Sequence, residues 1–115
     1  MKRDFDLIRE LLLEVEDDAS VDLSAFTDDQ VSYHRALLIE AGLAEGTVRE
    51  SMRTHTEVPD LVFIKKLTWS GHEFLDQARQ SKVWNQAKEH LAKKGVELTF
   101  EALKAAMGAI IAGMI

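Results

Sequence analysis

The sequence predicts an α+β fold, mainly helical, in which helices precede and follow a single β-hairpin. Three observations carry that expectation. Residues 31–43 have a helical apolar repeat that stops at Gly42. Residues 47–52 and 61–67 are strand-like and joined by a polar connection carrying the only proline, Pro59. A capping pattern at residues 70–73 then restarts a helix. A helix, a hairpin and a second helix in this order predict a winged helix-turn-helix with a β-hairpin wing and a C-terminal helical extension. The expected division is a winged-helix domain over residues 1–82 and an extension over 83–115, packing on that domain or on a second subunit.

Phe5, Ile8, Leu11, Leu12 and Val15 recur at steps of three and four, which places one apolar stripe on a helix over residues 4–17. Leu7 and Leu13 fall off the stripe and imply a broad buried face. Val21, Leu23 and Ala25 alternate and predict a short strand within residues 19–26, pairing against the wing. Thr27 and Gln30 have the spacing of a capping box, with Asp28 and Asp29 at the positive end of the dipole, so a second helix starts at residue 28. Gly42 ends it in the left-handed conformation.

The strand over 61–67 is rich in β-formers, Val62, Phe63 and Ile64. Ser70 and Glu73 form the expected second capping box, and Phe74, Leu75 and Ala78 bury the helix that follows, to about residue 80. Residues 83–94, with Trp84, Ala87 and Leu91, predict another helix stopped by Gly95, and Thr99 caps a last one from residue 100 onward.

The 115 residues suit one compact domain, and 46% apolar content is enough to hide about two-thirds of the unfolded surface. Without cysteine there is no disulfide and no thiolate chemistry. Acids interrupt the apolar residues near the start, so no secretory segment is expected. The apolar tail at 105–115 is well short of the roughly 20 residues that span a bilayer. A cytoplasmic protein without membrane contact is expected. The net charge is −6, and residues 1–30 hold ten acids against three Lys and Arg, while residues 31–115 hold ten against eleven. Any nucleic-acid role therefore rests on a local basic patch.

On a helical wheel Val31, His34, Leu37, Leu38 and Ala41 share the packed side, while Asp29, Ser32, Ala36, Ile39 and Glu40 face away. A DNA-reading helix offers Arg, Lys, Asn or Gln to base edges. Here only Ser32, flanked by Tyr33 and Arg35, is suited to contact DNA. The wing is better supplied: Arg49, Arg53, Lys65 and Lys66 lie on its strands or tip, with His55 among them and Glu50, Glu57 and Asp60 opposing. This pattern fits phosphate contact or an ordinary solvated hairpin of mixed charge.

His34, on the apolar side, reads as a hydrogen-bonded core histidine. His72 and Asp76 are one turn apart, but two ligands do not make a metal site. Ser70 lacks a nucleophile motif and is explained as a cap. No catalytic constellation, metal or cofactor is expected. Trp69 and Trp84 read as packing anchors. Phe100, Leu103, Met107, Ile110, Ile111 and Met114 make the last helix apolar on more than one side, which predicts a homodimer through that helix.

Across nearly its whole length the sequence resembles a family of small bacterial and prophage proteins known as domain of unknown function 2513. The likeness rests on Met1-Lys-Arg-Asp-Phe-Asp-Leu-Ile-Arg9, Val31-Ser-Tyr-His34 with Ala41-Gly-Leu43, Leu67-Thr-Trp-Ser-Gly-His-Glu-Phe-Leu75, and Val83-Trp-Asn85. The central block is also similar to the recognition-helix segment of arsenic-repressor-type winged-helix regulators. The first resemblance implies a winged-helix-like, phage-associated cytoplasmic protein and transfers no catalytic residue. The expected function is a non-enzymatic DNA-binding accessory or transcription regulator. The alternative is a protein-protein interaction module, such as a phage factor that binds a host protein.

Overall fold

The computed structural model describes residues 1–53 and 55–114. They form an α+β arrangement in the order α1 (Phe5–Asp17), α2 (Asp28–Glu40), β1 (Ala44–Arg49), β2 (Leu61–Leu67), α3 (Trp69–Ala78), α4 (Ser81–Lys93) and α5 (Phe100–Ile111). Two compact units divide the chain, Met1–His72 and Glu73–Ile115, whereas the sequence division was drawn after residue 82.

In the first unit, Asp4 caps α1 by accepting the Leu7 N–H at 3.1 Å. Phe5, Leu7, Ile8, Leu11 and Leu12 are buried, so the apolar face is as broad as Leu7 implied, with Leu13 half-buried. The capping box of α2 is formed: Thr27 Oγ1 accepts the Gln30 N–H at 3.1 Å and Gln30 Oε1 accepts the Thr27 N–H at 2.8 Å. Val31, His34 and Leu38 are the buried side of this helix. Leu37 is only half-buried and Ala41 is exposed, so the packed side is narrower than the wheel suggested.

Gly42 closes α2 at φ 76°, a conformation that costs glycine little. Its N–H reaches the Ile39 carbonyl at 3.1 Å and the Leu43 N–H reaches Leu38 at 2.8 Å, the paired bonds of a Schellman motif. That closure delivers the chain straight into β1, which therefore begins at Ala44, three residues before the expected start at 47.

The strand expected within residues 19–26 does not form. Asp22 Oδ1 accepts the Ser24 N–H at 3.0 Å, and the Phe26 N–H bonds to the Leu23 carbonyl at 3.0 Å. These local bonds occupy backbone groups a ladder would need. Two contacts from Ser24, its hydroxyl first and its backbone N–H second, hold the Asp22 carboxyl below the usual carboxylate range. With residues 18–27 between them, α1 and α2 are joined by more than the three- or four-residue turn of a helix-turn-helix.

The helix α3 starts one residue before the expected Ser70 cap. Thr68 is the capping side chain: its Oγ1 accepts the Gly71 N–H at 3.1 Å and donates to the Gly42 carbonyl at 2.6 Å. The Thr68 N–H also bonds to the Leu43 carbonyl at 3.0 Å. A tertiary anchor to the α2 turn thus selects the cap that local spacing assigned to Ser70.

In the second unit, Phe74, Leu75, Ala78, Val83, Trp84, Ala87, Leu91, Leu103, Ala106 and Met107 are buried. The Phe74 ring meets Trp84 edge-on at 6.1 Å and stacks on Phe100 at 4.8 Å, arrangements that aromatic quadrupoles favour. The helix α4 begins at Ser81, two residues before the expected start, and Gly95 repeats the closure seen at Gly42. Thr99 caps α5 by accepting the Ala102 N–H at 3.1 Å. Most of α5 is buried or half-buried on one side, and its exposed large apolar residues are confined to the end, Ile111 and, just beyond the helix, Met114.

Candidate nucleic-acid interface

The hairpin pairs Ala44 with Leu67, Glu45 with Lys66, Gly46 with Ile64, Thr47 with Phe63, Val48 with Val62 and Arg49 with Leu61. The register skips Lys65, which makes Lys65 the extra residue of a bulge. Strict alternation along β2 would put Leu67 on the same face as Phe63. The bulge resets the faces, so Val62 and Ile64 are half-buried, Leu67 is buried, and Leu61, Phe63 and Lys66 stay out.

Directly opposite residues share a face, so the outer face is a ladder of three pairs: Arg49 with Leu61, Thr47 with Phe63, and Glu45 with Lys66. Leu61 is 56% exposed and Phe63 is 63% exposed. Lys66 Nζ lies 3.7 Å from Glu45 Oε2, both ends well solvated, so this pair is weak but offsets the one acid on the ladder. The Asp60 N–H closes the strand ends by bonding to the Arg49 carbonyl at 2.9 Å. Arg53 and Met52 are exposed at the tip, where His55 takes φ 62° and Glu57 pairs with the Met1 ammonium.

The seven residues singled out from the sequence fall into two groups. Arg49, Arg53, Lys65 and Lys66 are exposed on the hairpin. Ser32, Tyr33 and Arg35 lie half-buried on α2. Arg35 donates from Nη2 to Glu14 Oε1 at 2.9 Å, and the Tyr33 ring stands edge-on to His34 at 5.5 Å. The exposed charges at the two ends of α2 include Asp29 and Glu40.

A cleft of about 300 Å³ opens between α1, α2 and β2. Leu11, Val15, Leu38, Val62, Phe63 and Ile64 line it, with Glu14, Asp18, Arg35 and Lys65 as its charged groups. Two acids and two bases leave it without a strong preference for either sign of ligand.

His34 is completely buried. Its Nε2 accepts the Asp4 N–H at 2.8 Å and its Nδ1 lies 2.7 Å from the Gln30 carbonyl. A carbonyl only accepts, so Nδ1 carries the proton. The ring joins the first residue of the α1 cap to α2, in keeping with a core histidine. His72 does not approach a ligand set with Asp76; its Nδ1 lies 3.0 Å from Glu16 Oε2. Among the described residues no three His, Asp or Glu side chains gather where a metal could be held.

Trp84 is the packing anchor expected of it, 2% exposed, but Trp69 is 81% exposed. The reason lies in the early start of α3: Trp69 becomes its first residue, where the buried positions are taken by Gly71, Phe74 and Leu75. The exposure of Leu61 and Phe63 was not foreseen, because the sequence marks β2 by its β-formers without showing which of them face out. Leu61, Val62, Phe63 and Ile64 are all apolar, so no local pattern separates the two faces.

The first unit is thus an α+β module whose hairpin carries Arg49, Leu61, Phe63 and Lys66 on its outer face. The chain belongs to the family described as Hypothetical protein (DUF2513), whose model matches residues 2–97. It is 35% identical to an uncharacterized protein of Haemophilus influenzae, over 100% of this chain and 99% of that protein. No solved structure matches it. The family match ends before α5. No helix among the described residues is long and apolar enough to cross a membrane.

Proposed function

We propose that the protein is a non-enzymatic, winged-helix-like DNA-binding accessory or transcription regulator, phage- or prophage-associated, that docks through its hairpin and not through α2. The observation carrying this reading is the contrast between the two groups of cations. Arg49, Arg53 and Lys65 stand exposed on the hairpin and Lys66 is only weakly paired, whereas Arg35 is held by Glu14 and α2 shows acids at both ends. Phosphate contacts supply most non-specific affinity for DNA, and cations on a projecting hairpin reach a duplex backbone without bringing those acids to it.

Fluorescence anisotropy with a labelled random-sequence duplex tests the reading at about 50 and about 200 mM salt. The quadruple variant R49A/R53A/K65A/K66A flattens the slope of log affinity against log salt by roughly 0.9 for each phosphate contact removed. Absence of binding by the native protein at the lower salt refutes it.

A protein-docking reading is favoured by Trp69, since exposed tryptophan is a frequent centre of protein interfaces. Its occupant would be a host protein or a second copy. A second copy would use the exposed end of α5, Ile111 and Met114, and light scattering decides it: a dimer becomes a monomer when residues 99–115 are deleted, or the native chain is already monomeric and dimerisation is refuted.

A further inference from the structure

We infer that the outer face of the hairpin binds single-stranded nucleic acid, with Phe63 as a stacking platform for an unpaired base and Arg49 and Lys65 as contacts to the adjoining phosphates. The inference rests on the nucleic-acid reading above and names its substrate class.

Phe63 occupies the middle of the three-pair ladder, opposite Thr47. Its neighbour Leu61, two residues along the strand and on the same face, is also exposed. A threonine opposite the ring leaves it unobstructed by any bulky cross-strand partner. An apolar ring held on a strand in this way is a rigid surface, since the ladder fixes its backbone and only two side-chain torsions remain.

The charges around Phe63 select the occupant. Arg49 is its diagonal neighbour on the same face, and Lys65 is two residues along the strand at the bulge. The acid on the ladder, Glu45, is offset by Lys66. On the ladder itself the cations Arg49 and Lys66 outnumber the one acid, Glu45, while Glu50 and Asp60 are exposed just beyond its open end, and the ladder suits an anionic partner that also offers a planar apolar group. Unpaired nucleotides combine those two properties, and proteins that bind them set aromatic side chains in a basic groove.

A duplex fits the same surface less well. Its bases are already stacked on each other, leaving Phe63 and Leu61 against sugar and phosphate.

The test uses the full chain and two labelled probes of about 15 units, an oligodeoxythymidylate and a duplex of mixed sequence, at the same low salt. The native protein binds the single strand more tightly. Phe63→Ala weakens that binding roughly 5- to 150-fold, as expected for one stacked base, and Phe63→Tyr restores it. Phe63→Leu keeps apolar bulk and the fold, as circular dichroism checks, yet loses affinity because it lacks a π face.

Equal or tighter binding of the duplex overturns the inference and leaves the wing-phosphate reading standing. So does single-strand binding that is indifferent to Phe63 but sensitive to Arg49 and Lys65. A dimer that Phe63→Ala dissociates assigns the face to a second copy and also overturns it. Failure of both probes to bind removes the inference and the nucleic-acid reading together.

Discussion

Replacing His34 tests how the first unit is held together. The ring is completely buried and makes two hydrogen bonds to backbone, accepting from Asp4 at one nitrogen and donating to Gln30 from the other. His34→Phe keeps a ring of similar size and removes both bonds. The Asp4 N–H then loses its partner, at about 1 to 3 kcal/mol, and the donated bond loses a further ~1 kcal/mol, so the variant is destabilised by about 2 to 4 kcal/mol. His34→Gln, whose amide oxygen can take the position of Nε2, recovers part of that loss. His34→Ala opens a cavity as well and is the least stable. Urea denaturation of the full chain gives the free energies, and amide hydrogen exchange locates the effect. Faster exchange is expected at Leu7, Ile8 and the rest of the first turns of α1, where the cap is anchored. If His34→Phe lies within about 0.5 kcal/mol of the native protein and leaves α1 exchange unchanged, the pin between α1 and α2 is not a source of stability.

Trp84→Ala costs about 3 to 5 kcal/mol by thermal or urea unfolding, because it removes a buried indole and its edge contact with Phe74. Trp69→Ala stays within about 0.5 kcal/mol of the native protein, and a larger loss contradicts its exposure. Gly71→Ala destabilises the start of α3 by about 1 to 3 kcal/mol, since a Cβ there would stand 2.0 Å from the Leu43 carbonyl oxygen; unchanged stability refutes that contact. Ser24→Ala raises the Asp22 titration midpoint, followed by carboxyl NMR, towards the ordinary carboxylate range. Because the folded value is depressed, Asp22 contributes to the 19–27 loop at neutral pH, and the contribution disappears as pH falls through that folded value.

The helices were legible in the sequence because each announces itself locally. Thr27, Gln30 and Thr99 cap through their own side chains, and Gly42 and Gly95 close through their own backbone freedom. The strand β2 was legible over its full span, 61–67. Where local signals competed with a distant partner, they misled. Ser70 has cap spacing, but Thr68 is bonded to Gly42 and takes the role. In residues 19–26 the competitor is itself local: the residues alternate, but Asp22 and Leu23 turn the chain on itself. Trp69 has the composition of a core residue and the exposure of a surface one.

The same divide runs through the candidate interface. The sequence by itself determined that this chain is acidic, that four of its 14 Lys and Arg lie on a hairpin between helices, and that its family is the one described as DUF2513. Those properties follow from residue identity and short-range order. Only the tertiary structure decided which cations are available: α1 supplies the carboxylate that holds Arg35, while nothing comparable reaches Arg49 among the described contacts. It also decided, through one bulge at Lys65, that Leu67 turns inward while Phe63 faces out. A one-residue change of register exchanges the two faces of a strand, and register is settled by the partner strand, which no local pattern contains.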